Sequence, residues 1–202
     1  MSLFRRRGFN ILAYDARYHG SSGGPFCSFD FFEKHDLTAL VDWVLKTNGE
    51  NHIVGTHGES LGAATTLQHA ALDPRIRFAI SDCAFSDLEQ LFTLRLHDDY
   101  HLPPFPILPM MGLVTRRFLK FDYHAASPIH YISEIQTPIL FIHGEKDDYI
   151  PPSMSVEMHK AKTKGIRRLY LAPNARHACA ISSNPDEYDR QVGLFFREIG
   201  LE

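Results

Sequence analysis

Cysteine is scarce in this chain. Cys27, Cys83 and Cys179 are too few and too scattered for the disulfide framework of a small secreted domain, so the cytoplasm is the expected compartment. No apolar run is long enough to cross a bilayer, and no segment reads as a signal peptide. Neither sign of charge dominates. The formal net charge of −3 offers no electrostatic reason to expect nucleic acid or an anionic membrane as a partner. Histidine is plentiful at 12 residues, but no H-E-x-x-H and no paired-cysteine spacing organises it, so neither a metal nor a cofactor is expected. Repeats and low-complexity stretches are lacking as well.

What remains is the composition of an ordinary globular protein. At 202 residues and 44% hydrophobic content, the chain suits a single domain over residues 1–202 with a real core. Leu3 to Gly8 reads as the last turn of a helix, with Arg5, Arg6 and Arg7 complementing its C-terminal dipole and Gly8 suiting a left-handed cap. Strands are predicted over residues 9–14, 53–56, 77–81, 138–142 and 168–172. Between them, residues 28–48 carry a broad apolar face at helical spacing, closed by Gly49. The last helix is predicted to start with Asn184 as cap, Pro185 in the first position and Glu187 closing a capping box. Strands alternating with helices imply an α/β fold, with a mostly parallel sheet covered by helices on both faces.

The most informative stretch is Gly58-Glu59-Ser60-Leu61-Gly62. It lies between a short apolar run and a run of helix formers, the context of strand, tight turn and helix. A serine on such a turn stands clear of the sheet, where a base can reach it. The two glycines would let neighbouring backbone pass without a Cβ clash. The first helical amide, that of Leu61, could then stabilise an oxyanion. Two further loops follow buried strands: His143-Gly144-Glu145-Lys146-Asp147-Asp148, and Pro173-Asn174-Ala175-Arg176-His177-Ala178. Ser60 would attack, His177 would take its proton, and Asp147 would fix the tautomer and stabilise the imidazolium. Asp148 is the rival acid; otherwise it could cap the helix beginning near Pro151 or Pro152.

These segments resemble the α/β-hydrolases, in particular the serine-aminopeptidase-like and esterase-like group. Residues 58–62 match its nucleophile elbow, residues 143–147 with Ile150-Pro151 its acid loop, and His177-Ala178 its histidine loop. Tyr14-Asp15-Ala16-Arg17-Tyr18-His19-Gly20-Ser21-Ser22-Gly23-Gly24 resembles a loop written D-x-R-G-x-G-x-S, with Tyr18 standing where glycine is common. The resemblance implies three more strands, a helix and a loop with a second oxyanion donor ahead of residue 1. The expectation is therefore an N-terminally truncated hydrolase fold. Its first strand, residues 9–14, would shift, swap into another chain as a homo-oligomer, or stay poorly paired. Loss of one oxyanion donor would cost roughly 10²–10³ in rate.

Residues 86–127 read as a cap insertion, with one helix carrying Leu88, Leu91, Phe92 and Leu94. Its prolines at 103, 104, 106 and 109 argue against a continuous second helix. Glu59, Phe105, Met110 and Met111 are the candidate substrate contacts; the apolar ones equally suit packing against the sheet. Asp98, Asp99 and His101 could hold a substrate amine or form a solvated turn. The expected function is serine-dependent hydrolysis of carboxylic esters, acting on a small ester or acyl substrate. A peptidase or thioesterase of the same fold, and a non-catalytic binding domain, are the alternatives.

Overall fold

The computed structural model describes residues 2–202. Four strands form one parallel sheet in the order β1-β2-β3-β4: β1 (Val54–Glu59), β2 (Ile76–Asp82), β3 (Ile139–Gly144) and β4 (Arg167–Ala172). Every crossover is helical. Helix α3 (Leu61–Leu72) joins β1 to β2, and α6 (Ser153–Ala161) joins β3 to β4. The sequence outlines these strands to within a few residues.

The pleat sorts the central strands between two cores. Ala79 of β2 with Ile139 and Phe141 of β3 face a cluster containing Leu67 of α3 and Met154 and Met158 of α6. Their alternates Phe78, Ile80, Leu140 and Ile142 face Val192, Phe195 and Phe196 of α8 (Pro185–Glu198). Successive residues of a strand point to opposite sides, so two buried faces require the near-continuous apolar run that β3 shows. Helix α1 (Ser2–Arg6) joins the second core through Leu3. Arg7, just beyond it, binds Asp189 and reaches Glu202 at 2.6 Å. The arginine run is thus a helix end tied to the last helix.

Three expectations need correction. Residues 9–14 form no strand: no ladder partner pairs with them among the described residues. Phe9 packs on Phe78 and Phe196, on the face covered by α8, while Ile11, Leu12 and Tyr14 are exposed. Apolar alternation makes an extended segment, but a strand also needs a neighbour's backbone, and Phe9 anchors this segment to a helix-covered face. The predicted helix over residues 28–48 begins late, as α2 (Glu33–Asn48). Ahead of it, the Glu33 carboxylate accepts from the Ser28 hydroxyl and from the amides of Ser28 and Asp30, folding residues 28–32 into a turn.

The capping box before α8 is absent. Pro185 takes the first position, but the Asn184 side-chain Nδ2 donates to Pro173 O at 3.0 Å, and Glu187 pairs with Arg190 and Gln191 instead. The proline-rich stretch is interrupted as expected, although its later part is helical: α5 (Pro104–Val114) follows α4 (Leu88–Tyr100). The break falls at Phe105, whose ψ of 133° is extended. Pro106 and Pro109 then sit in the first turn of the helical part, where missing amide donors are tolerated.

Candidate active site

Parallel register brings the C-terminal ends of the strands to one edge: Glu59 lies opposite Asp82, and Asp82 opposite Ile142. The loops leaving β1, β3 and β4 therefore converge. Ser60 follows β1 directly with φ 53° and ψ −117°, a strained turn conformation for a side-chain-bearing residue. Its amide donates to Asp82 O at 2.9 Å, tying the turn to the neighbouring strand. A Cβ on Gly58 would stand 2.1 Å from Gly62 O, so this glycine is required for the close approach. Gly62 is not: a Cβ there meets nothing within 4 Å. The expectation that both glycines admit passing backbone holds for one of them.

The structure brings Ser60, His177 and Asp147 together. His177 Nε2 lies 2.9 Å from Ser60 Oγ, and His177 Nδ1 lies 2.8 Å from Asp147 Oδ2. Asp147 Oδ1 accepts from the amides of Tyr149 at 3.0 Å and Ile150 at 2.9 Å. Burial alone would raise the Asp147 pKa. Hydrogen bonds from His143 and His177, with the Ile150 amide, outweigh it and hold the carboxyl well below the usual carboxylate range. Asp148 is exposed and does not cap α6, whose first turn follows Pro152 without a side-chain cap. The Leu61 amide occupies the first helical position of α3, where no intrahelical acceptor is available.

Four residues around the site escaped sequence reasoning. His143, wholly buried at the end of β3, places Nε2 3.1 Å from Asp147 Oδ2 and Nδ1 2.7 Å from Ser155 Oγ. The Tyr149 ring packs 5.1 Å from the His177 ring, and the Arg95 guanidinium of α4 lies 5.2 Å above Tyr149, linking the insertion to the site. Cys83 follows β2, with its sulfur, an Asp147 oxygen and a His177 nitrogen mutually within 4.8 Å. That is the one grouping of metal-ligand spacing among the described residues. Burial pushes the Cys83 thiol up to about 12, with the Asp82 charge adding to it, so the free thiol stays protonated at neutral pH. His143 had a visible sign, since it belongs to the acid-loop motif; Cys83, Tyr149 and Arg95 had none.

The expected substrate contacts fare differently. Phe105 and Met110 stand exposed on the outer side of α5, and Met111 packs onto the core, so the structure groups none of them with Ser60. Glu59 is exposed beside Ser60. Its charge acts on buried Asp82, whose pKa is pushed up to about 6, first by burial and then by Glu59. Asp98 and Asp99 are occupied by Arg95, at 2.8 and 3.4 Å. His57, two residues before Glu59 on β1, bonds Tyr188 Oη at 3.1 Å and packs against Phe4.

Residues 1–105 match the family model of the X-Pro dipeptidyl-peptidases (S15 family), and residues 114–161 match the model named BD-FAE. The chain belongs to the α/β-hydrolase superfamily. The loop over residues 14–24 carries the departure from the hydrolase pattern in visible form: Tyr18 adopts φ 64°, the left-handed region that glycine favours. The Bacillus subtilis protein YqkD is 37% identical over 199 residues, a match that covers 96% of this chain and 64% of YqkD. The chain thus spans less than two thirds of that relative's length. Among solved structures, the Pyrococcus furiosus esterase Pf2001 superposes with a TM-score of 0.77 at 24% identity, covering 97% of this chain and 73% of that one. The acylaminoacyl peptidase of Pyrococcus horikoshii gives a TM-score of 0.60 at 16% identity over 83% of this chain and 27% of its own. At these identities the likeness is one of fold. Among the described residues, no helix is long and apolar enough to cross a membrane.

Proposed function

We propose that this chain is a serine hydrolase that cleaves carboxylic esters through an acyl-enzyme on Ser60. The observation that carries the reading is the unbroken hydrogen-bond line from Ser60 Oγ through His177 to Asp147, at 2.9 and 2.8 Å. Ser60 Oγ attacks the ester carbonyl while its proton passes to His177 Nε2. Asp147, held ionised, accepts from His177 Nδ1 and stabilises the imidazolium. The Leu61 amide faces the developing oxyanion, and such a donor is worth roughly 10²–10³ in rate. His177 then protonates the departing alkoxide. A water, deprotonated by the same imidazole, attacks the acyl-enzyme, and Ser60 regains its proton as the acid leaves. No step needs a metal or cofactor.

The match of residues 1–105 to a dipeptidyl-peptidase family favours amide cleavage as a second reading. The test is labelling with a fluorophosphonate, with the modified residue located by mass spectrometry and Ser60→Ala as control. A panel of matched p-nitrophenyl esters, thioesters and peptide anilides follows. We expect label on Ser60 alone and turnover of esters above anilides. Faster anilide turnover would move the assignment to the peptidases. Absence of label on the folded chain would overturn the hydrolase reading in favour of a binding domain.

A further inference from the structure

Helix α5 is apolar on both sides. Its inner stripe, Leu108, Gly112 and Thr115 just beyond its end, is buried against the body of the protein. Its outer side presents Met110, Leu113 and Val114, with Phe105 and Phe118 at the ends. Phe105, Leu113 and Phe118 are 74, 67 and 70% exposed, values unusual for one such residue and here repeated along one ridge. Contiguous exposed apolar surface of this kind marks a site of interaction.

Charge says what it meets. Residues 100–121 hold Arg116, Arg117 and Lys120 and no acid. Asp122 follows at once, 3.4 Å from Arg116, so residues 100–122 carry +2 against −5 for the remaining 179 residues. The net charge of the chain conceals this separation. The basic side chains lie at the C-terminal end of the same ridge: Arg117 sits 5.5 Å from the Phe118 ring, and Arg116 spans Gly112 O and, at 3.4 Å, Asp122. The open cavity at the ridge's N-terminal end, lined by Leu94, His97, Leu102 and Pro103 among others, does not include Met110, Leu113 or Phe118. The same ridge of a second copy holds no acid over residues 100–121 to meet these cations.

We propose that the α5 ridge seats on an anionic lipid surface, its apolar side chains entering the headgroup boundary and Arg116, Arg117 and Lys120 meeting lipid phosphates. This replaces the expectation of no membrane partner, which rested on net charge. A bilayer demands no matched shape, only apolar area and positive charge together. The proposal does not depend on the ester-hydrolase reading, and it would direct that reading toward lipid-borne esters.

The test is co-sedimentation of the 202-residue chain with vesicles of phosphatidylcholine alone and of phosphatidylcholine mixed with phosphatidylglycerol. The chain should pellet with the mixed vesicles and remain in solution with the neutral ones. Binding should weaken roughly fivefold for each of Arg116→Ala and Arg117→Ala. Leu113→Asp and Phe118→Asp should abolish it, while Leu72→Asp, at an exposed apolar position on α3, should leave it intact. Exposed sites keep these variants folded, which their melting curves check. No pelleting with either vesicle overturns the proposal. So does a dimer in sedimentation velocity that Leu113→Asp dissociates, if vesicle binding is absent.

Discussion

His143 Nε2 lies 3.1 Å from Asp147 Oδ2, the same oxygen that His177 Nδ1 reaches at 2.8 Å. His143 Nε2 also lies 2.8 Å from Ile150 O, which can only accept, so this nitrogen carries the proton and donates. Nδ1 then accepts from the Ser155 hydroxyl at 2.7 Å. Two imidazoles thus hold one carboxylate, one buried and fixed, the other reaching Ser60.

His143→Leu should slow fluorophosphonate labelling of Ser60 about 10- to 100-fold, the effect of one lost hydrogen bond to a charged group. His143→Gln, which can still donate and accept, should recover most of that rate. Labelling rates of the three proteins, compared with their melting temperatures, check it. Equal loss in both variants at unchanged stability would deny His143 its hold on Asp147.

Buried Asp82 makes stability fall as pH rises. Its folded-state pKa, about 6, stands above the ordinary carboxylate value of 3.8, so the native state favours the protonated form. Below pH 4 both states bind the proton and Asp82 costs nothing. Between about pH 4 and 6 the unfolded state ionises first, and the native state loses ground to it. Asp82→Asn should therefore stabilise the protein by about 2–3 kcal/mol at pH 7.5, an upper estimate, and by nothing near pH 4. Urea unfolding of both proteins across that range measures the difference; a gain independent of pH would reject the assignment.

The two glycines of the elbow should respond in opposite ways to alanine. At Gly58 the new Cβ would stand 2.1 Å from Gly62 O. Only backbone movement relieves such a contact, at a cost of about 2 kcal/mol or more. At Gly62 the Cβ enters open space within the first turn of α3, where alanine gains up to about 1 kcal/mol of helix propensity. Thermal unfolding of Gly58→Ala and Gly62→Ala settles the order, and equal losses would contradict it.

The strands and the hydrogen-bonded group were legible because both are written locally. Strand β3 is an apolar run bounded by turn residues, and Ser60, Asp147 and His177 each sit just past such a run. Backbone partnership is not written locally. Residues 9–14 have the composition of a strand, yet Phe9 found aromatic neighbours on a helix-covered face and the segment found no ladder. Asn184 and Glu187 have the spacing of a capping box, yet Pro173 O and Arg190 offered them other partners. The prolines after position 102 forbade a helix only where their missing donors would have been needed, and Pro106 and Pro109 fall in a first turn.

By itself the sequence determined the α/β alternation, the strained serine turn and the order of serine, acid and base. Period and turn chemistry act over a few residues, and they are complete in the chain as written. Only the tertiary structure decided that His143 shares the Asp147 carboxylate and that Cys83 and Tyr149 border the site. It alone turned Phe105 and Met110 outward, away from the role expected of them. Such contacts join residues far apart in the chain. They come into being when parallel register sets the strand ends side by side, and no local pattern records them.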